Sequence, residues 1–323
     1  MMQIGLIGLA AGAASALLFA SIASGVPLSL ALANLAQLPI MIAAIGWTHY
    51  AAIVAVLFAS AGLALLLGGT VGAAFLIGIG LPAWWIGYLA LLARPAPGAD
   101  PASIEWYPVG RIVVWTAISA AAVVLVSMLR HGFDAASIQA GLRRESERLL
   151  RILAALLGLP SVKDPGRLLD VLVPIVPPIK AIGLTMTTLL NFWLAGLIVR
   201  VSGRLKRPWP AIAQMTFPPF APTVLAIAVG GTFLPDLIGL ASGVFTASLL
   251  LAYALLGFAV MHAITIGVGG RHFMLAGLYL TVGLFGWPIV LMALVGLIET
   301  MLALRARHAA RRRPPAPPGS PRL

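Results

Sequence analysis

From Met1 to Ala93 the chain contains no Asp, Glu, Lys or Arg, and Arg94 carries the first side-chain charge. No water-facing surface can be built from such a stretch, because the outer layer of a soluble domain draws heavily on charged residues. A helix crosses the hydrocarbon core in about 20 apolar residues, so this stretch holds about four crossings once turns are subtracted. They are predicted near 4–23, 27–46, 50–68 and 70–92. The breaks between them are Gly25-Val26-Pro27, Trp47-Thr48-His49-Tyr50 and Gly68-Gly69-Thr70, where turn formers or interfacial residues interrupt the apolar pattern. The whole chain agrees: of 323 residues 61% are hydrophobic and 9% charged, against about a quarter charged in an ordinary soluble domain. The expected fold class is all-α, a polytopic transmembrane helical bundle of about eight to ten crossings. Met1-Met2-Gln3-Ile4-Gly5 supplies no basic n-region, so the first apolar run is read as a retained helix, not a cleaved signal.

The formal charge of +12 sits in the connections between apolar runs and in the tail, where membrane topology places it. The basicity is therefore read as topogenic, with the lipid bilayer and not nucleic acid as the partner. Arg far outnumbers Lys and Ala is abundant, which suits a high-GC bacterial genome and an inner-membrane location.

After residue 93 the pattern diversifies. RPAPGADPASIEWYPV, residues 94 to 109, is too rich in proline and charge to lie in lipid and is expected to be a loop, with Trp106 and Tyr107 at headgroup depth before a fifth crossing over Ile112–Leu129. From Asp134, Ile138, Leu142, Leu149, Leu153, Leu156 and Leu157 share one helical face and Arg143, Arg144, Glu147 and Arg151 the other. This predicts an amphipathic helix over about 135–159 lying on the membrane surface and ending near Leu159-Pro160. VLVPIVPPIK, residues 171 to 180, carries Pro174, Pro177 and Pro178 and is expected to be a broken or re-entrant approach to a sixth crossing over Ala181–Val201. Arg200, Arg204, Lys206 and Arg207 then mark a cytoplasmic connection. Further crossings fit Phe217–Leu234 and Gly243–Val268, followed by a hairpin over Phe273–Leu304 turning near Gly286-Trp287-Pro288. Residues 1–304 form a single membrane domain in this scheme, and the basic, proline-rich 305–323 a disordered tail. With both ends cytoplasmic, ten crossings put the basic segment 130–167 outside, against the positive-inside rule; letting 168–199 cross twice restores it but leaves very short spans.

Polar groups at membrane depth cost energy unless paired, and that cost often marks a ligand or ion path. Asn34, Gln37, Lys180 and Asn191 are the candidate ligand-binding residues, with Trp84 and Trp85 as an aromatic wall. Other readings stay open: hydrogen bonds between helices for Asn34, Gln37 and Asn191, snorkelling for Lys180, and an interfacial belt for the tryptophans. Glu299 and Arg305 are expected to form an ion pair, and His262 is read as a hydrogen-bonded core histidine, with a proton carrier near neutral pH as the alternative. Small-residue pairs at Gly8/Gly12, Ala10/Ala14, Ala16/Ala20, Gly68/Gly72 and Gly239/Gly243 permit close helix approach.

Signatures of chemistry are missing. The chain has no cysteine, no HExxH and no GxxxxGK[ST], and its five histidines lack ligand spacing. GLASG at 239 to 243 places Ser242 out of register with the GxSG of rhomboid proteases. No metal, no cofactor and no enzymatic activity are expected.

GLPAWWIGYLALLAR at 80 to 94, EWYPVGR at 105 to 111, NFWLAGLIVRVSGRLKRPWP at 191 to 210, and the closing LLGFAVMHAITIG with GRHFMLAGLYL together resemble the YybS-like family of bacterial membrane proteins, whose function is uncharacterised. That family is more remotely similar to the substrate-binding subunits of energy-coupling-factor vitamin transporters. The resemblance implies a small-molecule solute and a transmembrane partner docked on Ala10, Ala14, Ala16 and Ala20 of the first helix. Extra helices and the surface segment depart from those subunits. Two function classes follow: a solute-binding or transport protein, and a non-transporting membrane scaffold or regulator of other membrane proteins.

Overall fold

A computed structural model of the chain describes residues 1–96, 104–158 and 165–311. The loop residues 97–103, the expected helix end at Leu159-Pro160 and tail residues 312–323 lie outside the described residues.

The described residues are overwhelmingly helical, as apolar segments must be where no water satisfies the backbone. The elements are α1 (Met2–Ala20), α2 (Pro27–Asn34), α3 (Gln37–Gly46), α4 (His49–Leu67), α5 (Gly69–Phe75), α6 (Leu81–Leu91), β1 (Ala93–Pro95), β2 (Ile104–Trp106), α7 (Val109–Met128), α8 (Ala135–Leu156), α9 (Gly166–Val201), α10 (Ala221–Gly231), α11 (Asp236–Ile264), α12 (Arg271–Phe285), α13 (Pro288–Leu302) and α14 (Leu304–Arg311). Among the described residues seven spans are long and apolar enough to cross a membrane, or eight if the bent pair α13 and α14 is one. Ten is not reached, because α10 and α12 have 11 and 15 residues where about 20 are needed.

The first four crossings fall where the charge-free stretch places them, with two refinements. The second is broken between Asn34 and Gln37, and the fourth carries a π-helical turn over Leu76–Gly80. The connection at 94 to 109 is not wholly irregular: Ala93–Pro95 pairs antiparallel with Ile104–Trp106, and Arg94 and Glu105 bridge it at 2.8 Å.

Glycines set how closely the helices approach. A Cβ on Gly8 would lie 2.6 Å from that of Val54, and one on Gly12 2.6 Å from the Ala55 carbonyl oxygen. The Gly8/Gly12 face of α1 is thus spent inside the protein, against α4. Ala16 and Ala20 also pack into the core around α3, while Ala10 and Ala14 are exposed. The four alanines therefore do not form one docking face, because their spacing puts the two pairs on different sides of α1.

The proline run corrects another expectation. Pro174, Pro177 and Pro178 lie inside α9, one continuous helix of 36 residues. Proline's φ is helical, and in a packed membrane helix neighbouring groups compensate for its missing N–H. The helix is about 54 Å long, well beyond the hydrocarbon core. Around its middle, Thr185 and Ser248 share a 2.7 Å hydrogen bond and Ser248 donates to the Ala117 carbonyl at 2.7 Å, tying α9, α11 and α7 together.

The bundle has two distinct ends. At one, Lys206 donates to the Trp47 carbonyl at 3.0 Å, and Arg207 to those of Ala90 and Tyr107, each at 3.3 Å; this is the basic end. α7 leads away from it, and α8 docks at the opposite end through Ile138 and Leu142 against Met128, Val173, Leu237 and Leu240. Only the first half of the expected apolar face is covered. Leu149, Leu153 and Leu157 remain exposed, as a helix lying on a membrane surface requires.

The expected hairpin at 273 to 304 has its turn, with Gly286 at φ 69°, but not its packed arms. A Cβ on Gly257 would overlap the Met292 carbonyl oxygen and one on Gly296 that of Tyr253; α13 therefore runs antiparallel and tight against α11. α12 instead lies beside the C-terminal end of α11, where both Arg271 and Tyr279 reach His262. The first part of the tail is not disordered: Leu304–Arg311 is helical, held where Arg305 meets Glu299.

Candidate functional site

The six expected site residues do not converge. Asn34 and Asn191 do meet, at the break between α2 and α3, where Gln37 begins α3 with neither its amide nitrogen nor its amide oxygen in a hydrogen bond within the protein. Asn191 Nδ2 donates to the Asn34 carbonyl at 2.8 Å, and Ser15 Oγ to that of Ala36 at 2.5 Å. The break frees these carbonyls from the helical ladder, and side chains from α9 and α1 satisfy them. Gln37 is fully buried. These hydrogen bonds between helices show how the broken span is held.

Lys180 lies elsewhere. It is about three turns, or about 16 Å, from Asn191 along α9, and it pairs with Glu145 of α8. Arg130 and His131 approach the same carboxylate at 3.3 and 3.7 Å. Burial pushes the Glu145 carboxyl up, but Lys180, Arg130 and His131 outweigh it and hold the group below its ordinary value. Lys180 therefore latches the surface helix to the bundle and lines no central cavity. Trp84 and Trp85 join Tyr88, His49 and Trp115 in an aromatic cluster, with ring centroids 5.3–6.2 Å apart.

A larger feature lies near the basic end. A cavity of about 810 Å³ is enclosed by α9, α11, α12 and the connection from Leu205 to Met215, within the range of small-molecule sites. Its wall is apolar over most of its extent, including Leu189, Phe192, Trp209, Leu255, Phe258 and Ile289. Met186, Leu190 and Trp193 also line it, follow one stripe of α9 and are 55%, 51% and 47% exposed. The cavity thus opens sideways, toward where lipid lies.

Four polar side chains punctuate this wall: Arg207, His262, Arg271 and Tyr279. His262 Nε2 and the Tyr279 hydroxyl are 2.8 Å apart, so the histidine is hydrogen-bonded as expected, but it is half-buried on the cavity wall and not in the core. Arg271 donates to the His262 carbonyl at 3.2 Å. Burial lowers the pKa of the Arg207 guanidinium from its ordinary value. Neighbouring cations are occupied by rings: Arg200 lies over Trp209 and Arg204 over Trp47, at 5.0 and 4.6 Å. The Glu299–Arg305 pair closes at 2.8 Å, and Arg305 also donates to the Ala213 and Met215 carbonyls at 2.7 and 2.9 Å. It thereby fixes the floor of the cavity, since Ala213 and Met215 line it.

Of these residues only His262 stood out in the sequence. Arg207 was grouped with the topogenic cations and Arg271 is a lone charge between apolar runs; nothing in their spacing separates a cavity arginine from a flanking one. No group of three or more His, Cys, Asp or Glu side chains suited to a metal ion occurs among the described residues. Comparison with known proteins adds no relative: no family model, curated protein or solved structure matches the chain.

Proposed function

We propose that this multi-pass membrane protein binds a small molecule, taken up sideways from the bilayer into the cavity between α9 and α12, as part of a binding or transport role. The observation that carries the reading is the cavity itself, about 810 Å³, apolar, and open along an exposed stripe of α9. Open apolar volume of this size beside a few convergent polar groups is the usual form of a ligand site. α12, the outer wall, is joined to α11 by the His262 contacts, an arrangement suited to movement during exchange. In this proposal the protein sits in a bacterial inner membrane, like the YybS-like proteins it resembles, with its basic end cytoplasmic.

The test is photolabelling of the purified protein with an alkyl diazirine. Label is expected on Met186, Leu190, Trp193 and Trp209. Gly283 lines the cavity and a Cβ there meets nothing within 4 Å, so Gly283→Trp directs a large side chain at the open volume from a position whose Cβ strikes no neighbour. It is expected to abolish that labelling at unchanged thermal stability. Labelling spread evenly over all lipid-facing helices, and indifferent to Gly283→Trp, would refute the reading. A scaffold role is favoured by one observation, the exposed apolar half of α8 at Leu149, Leu153 and Leu157. That surface also suits lipid, so it carries less.

A further inference from the structure

Building on the cavity reading, we infer that the ligand is a single-chain membrane amphiphile with an anionic head, held between Arg207 and Arg271, its chain lying along Met186, Leu190 and Trp193. Both arginines line the same cavity, and in each the buried Nε–H has no hydrogen-bond partner within the protein. No acidic side chain among the described residues pairs with either one, although Arg94, Arg130, Arg143, Lys180 and Arg305 all have such partners. Two positive charges thus face a largely apolar space whose wall also carries His262 and Tyr279 but, among the described residues, no carboxylate.

A buried donor left unpaired bears the full desolvation penalty of its group, which is larger when the group is charged. A neutral apolar ligand would leave both N–H groups unpaired and remove any water that reached them. An anionic head gives each arginine an acceptor, and guanidinium to carboxylate or phosphate is among the stronger protein hydrogen bonds. Arg207 Nη1 and Nη2 each donate once, to the Ala90 and Tyr107 carbonyls, and these two bonds orient the planar guanidinium and with it the Nε–H. The ligand chemistry has one charged end and one long apolar end because the cavity does: cations toward the basic end, and the α9 stripe extending into the bilayer. A polar metabolite leaves that stripe without a partner, and a plain hydrocarbon leaves the arginines without one.

The experiment uses the full chain in nanodiscs of zwitterionic lipid. Binding is read by quenching of tryptophan fluorescence with chain-brominated stearic acid, brominated stearyl alcohol and a brominated lysophosphatidic acid. The acid or the lysophosphatidate is expected to bind at least tenfold tighter than the alcohol, and whichever is tighter identifies carboxylate or phosphate as the head. Arg207→Gln combined with Arg271→Gln is expected to abolish the preference for the charged probes over the alcohol. Arg207 also anchors two carbonyls and its loss weakens the fold as well, so the comparison of acid with alcohol on the natural chain decides the question without this variant. Equal affinity for all three probes overturns this inference while the cavity reading stands. No saturable quenching by any probe overturns both.

Discussion

Replacing Glu299 with Leu tests how the floor of the cavity is held. The Glu299 and Arg305 side chains are 9% and 15% exposed, and the carboxylate accepts from Arg305 Nε at 2.8 Å and from its backbone N–H at 3.1 Å. Removing one partner of a buried pair costs about 3–5 kcal/mol, because the other charge stays behind unpaired. Arg305 keeps the Ala213 and Met215 carbonyls, so the expected loss is at the lower end, about 3 kcal/mol. Arg305→Leu alone leaves Glu299 buried with no cation and is expected to cost as much or more. The double variant Glu299→Leu with Arg305→Leu removes both charges and is expected to recover most of the loss, since an apolar pair of similar volume is about neutral. Reversible unfolding in mixed detergent micelles gives the four stabilities, and the cycle isolates the coupling. Additive losses, with a coupling below about 0.5 kcal/mol, would show that the pair is solvated and refute the argument.

Three further outcomes follow from the same geometry. The Glu145 carboxyl titrates below its ordinary value in the folded chain, so its contribution to docking α8 is fully present above pH of about 4.3. That contribution is lost as pH falls further, through the lowered folded value; hydrogen exchange over 135–156 should rise there, and a Glu145→Gln variant should show no such step. Gly257→Leu forces apart α11 and α13 where a Cβ meets backbone, and the expected destabilisation is about 3 kcal/mol; a loss below about 1 kcal/mol would mean the crossing is looser than described. The chain has no cysteine, so Arg151→Cys and Ser202→Cys each supply a single thiol. A membrane-impermeant thiol reagent should label them from opposite faces of the membrane, and labelling from the same face would contradict the placement of α8.

The charge-free first 93 residues by themselves dictated a membrane-embedded helical chain, since a backbone in hydrocarbon has no other way to pair its polar groups along one segment. Local signals likewise marked the amphipathic helix after Asp134, the turn at Gly286 and the Glu299–Arg305 pair, each of which depends on residues close in sequence. The proline run was misread because a lone segment cannot show the neighbours that let Pro174, Pro177 and Pro178 remain in one helix. Lys180 was misassigned for a related reason: its partner Glu145 lies on another helix, and only packing brings the two together. The cavity was decided entirely by tertiary structure. Arg207, His262, Arg271 and Tyr279 come from three separated stretches of the chain, and whether an arginine faces headgroups or an enclosed space depends on where α12 comes to rest beside α11.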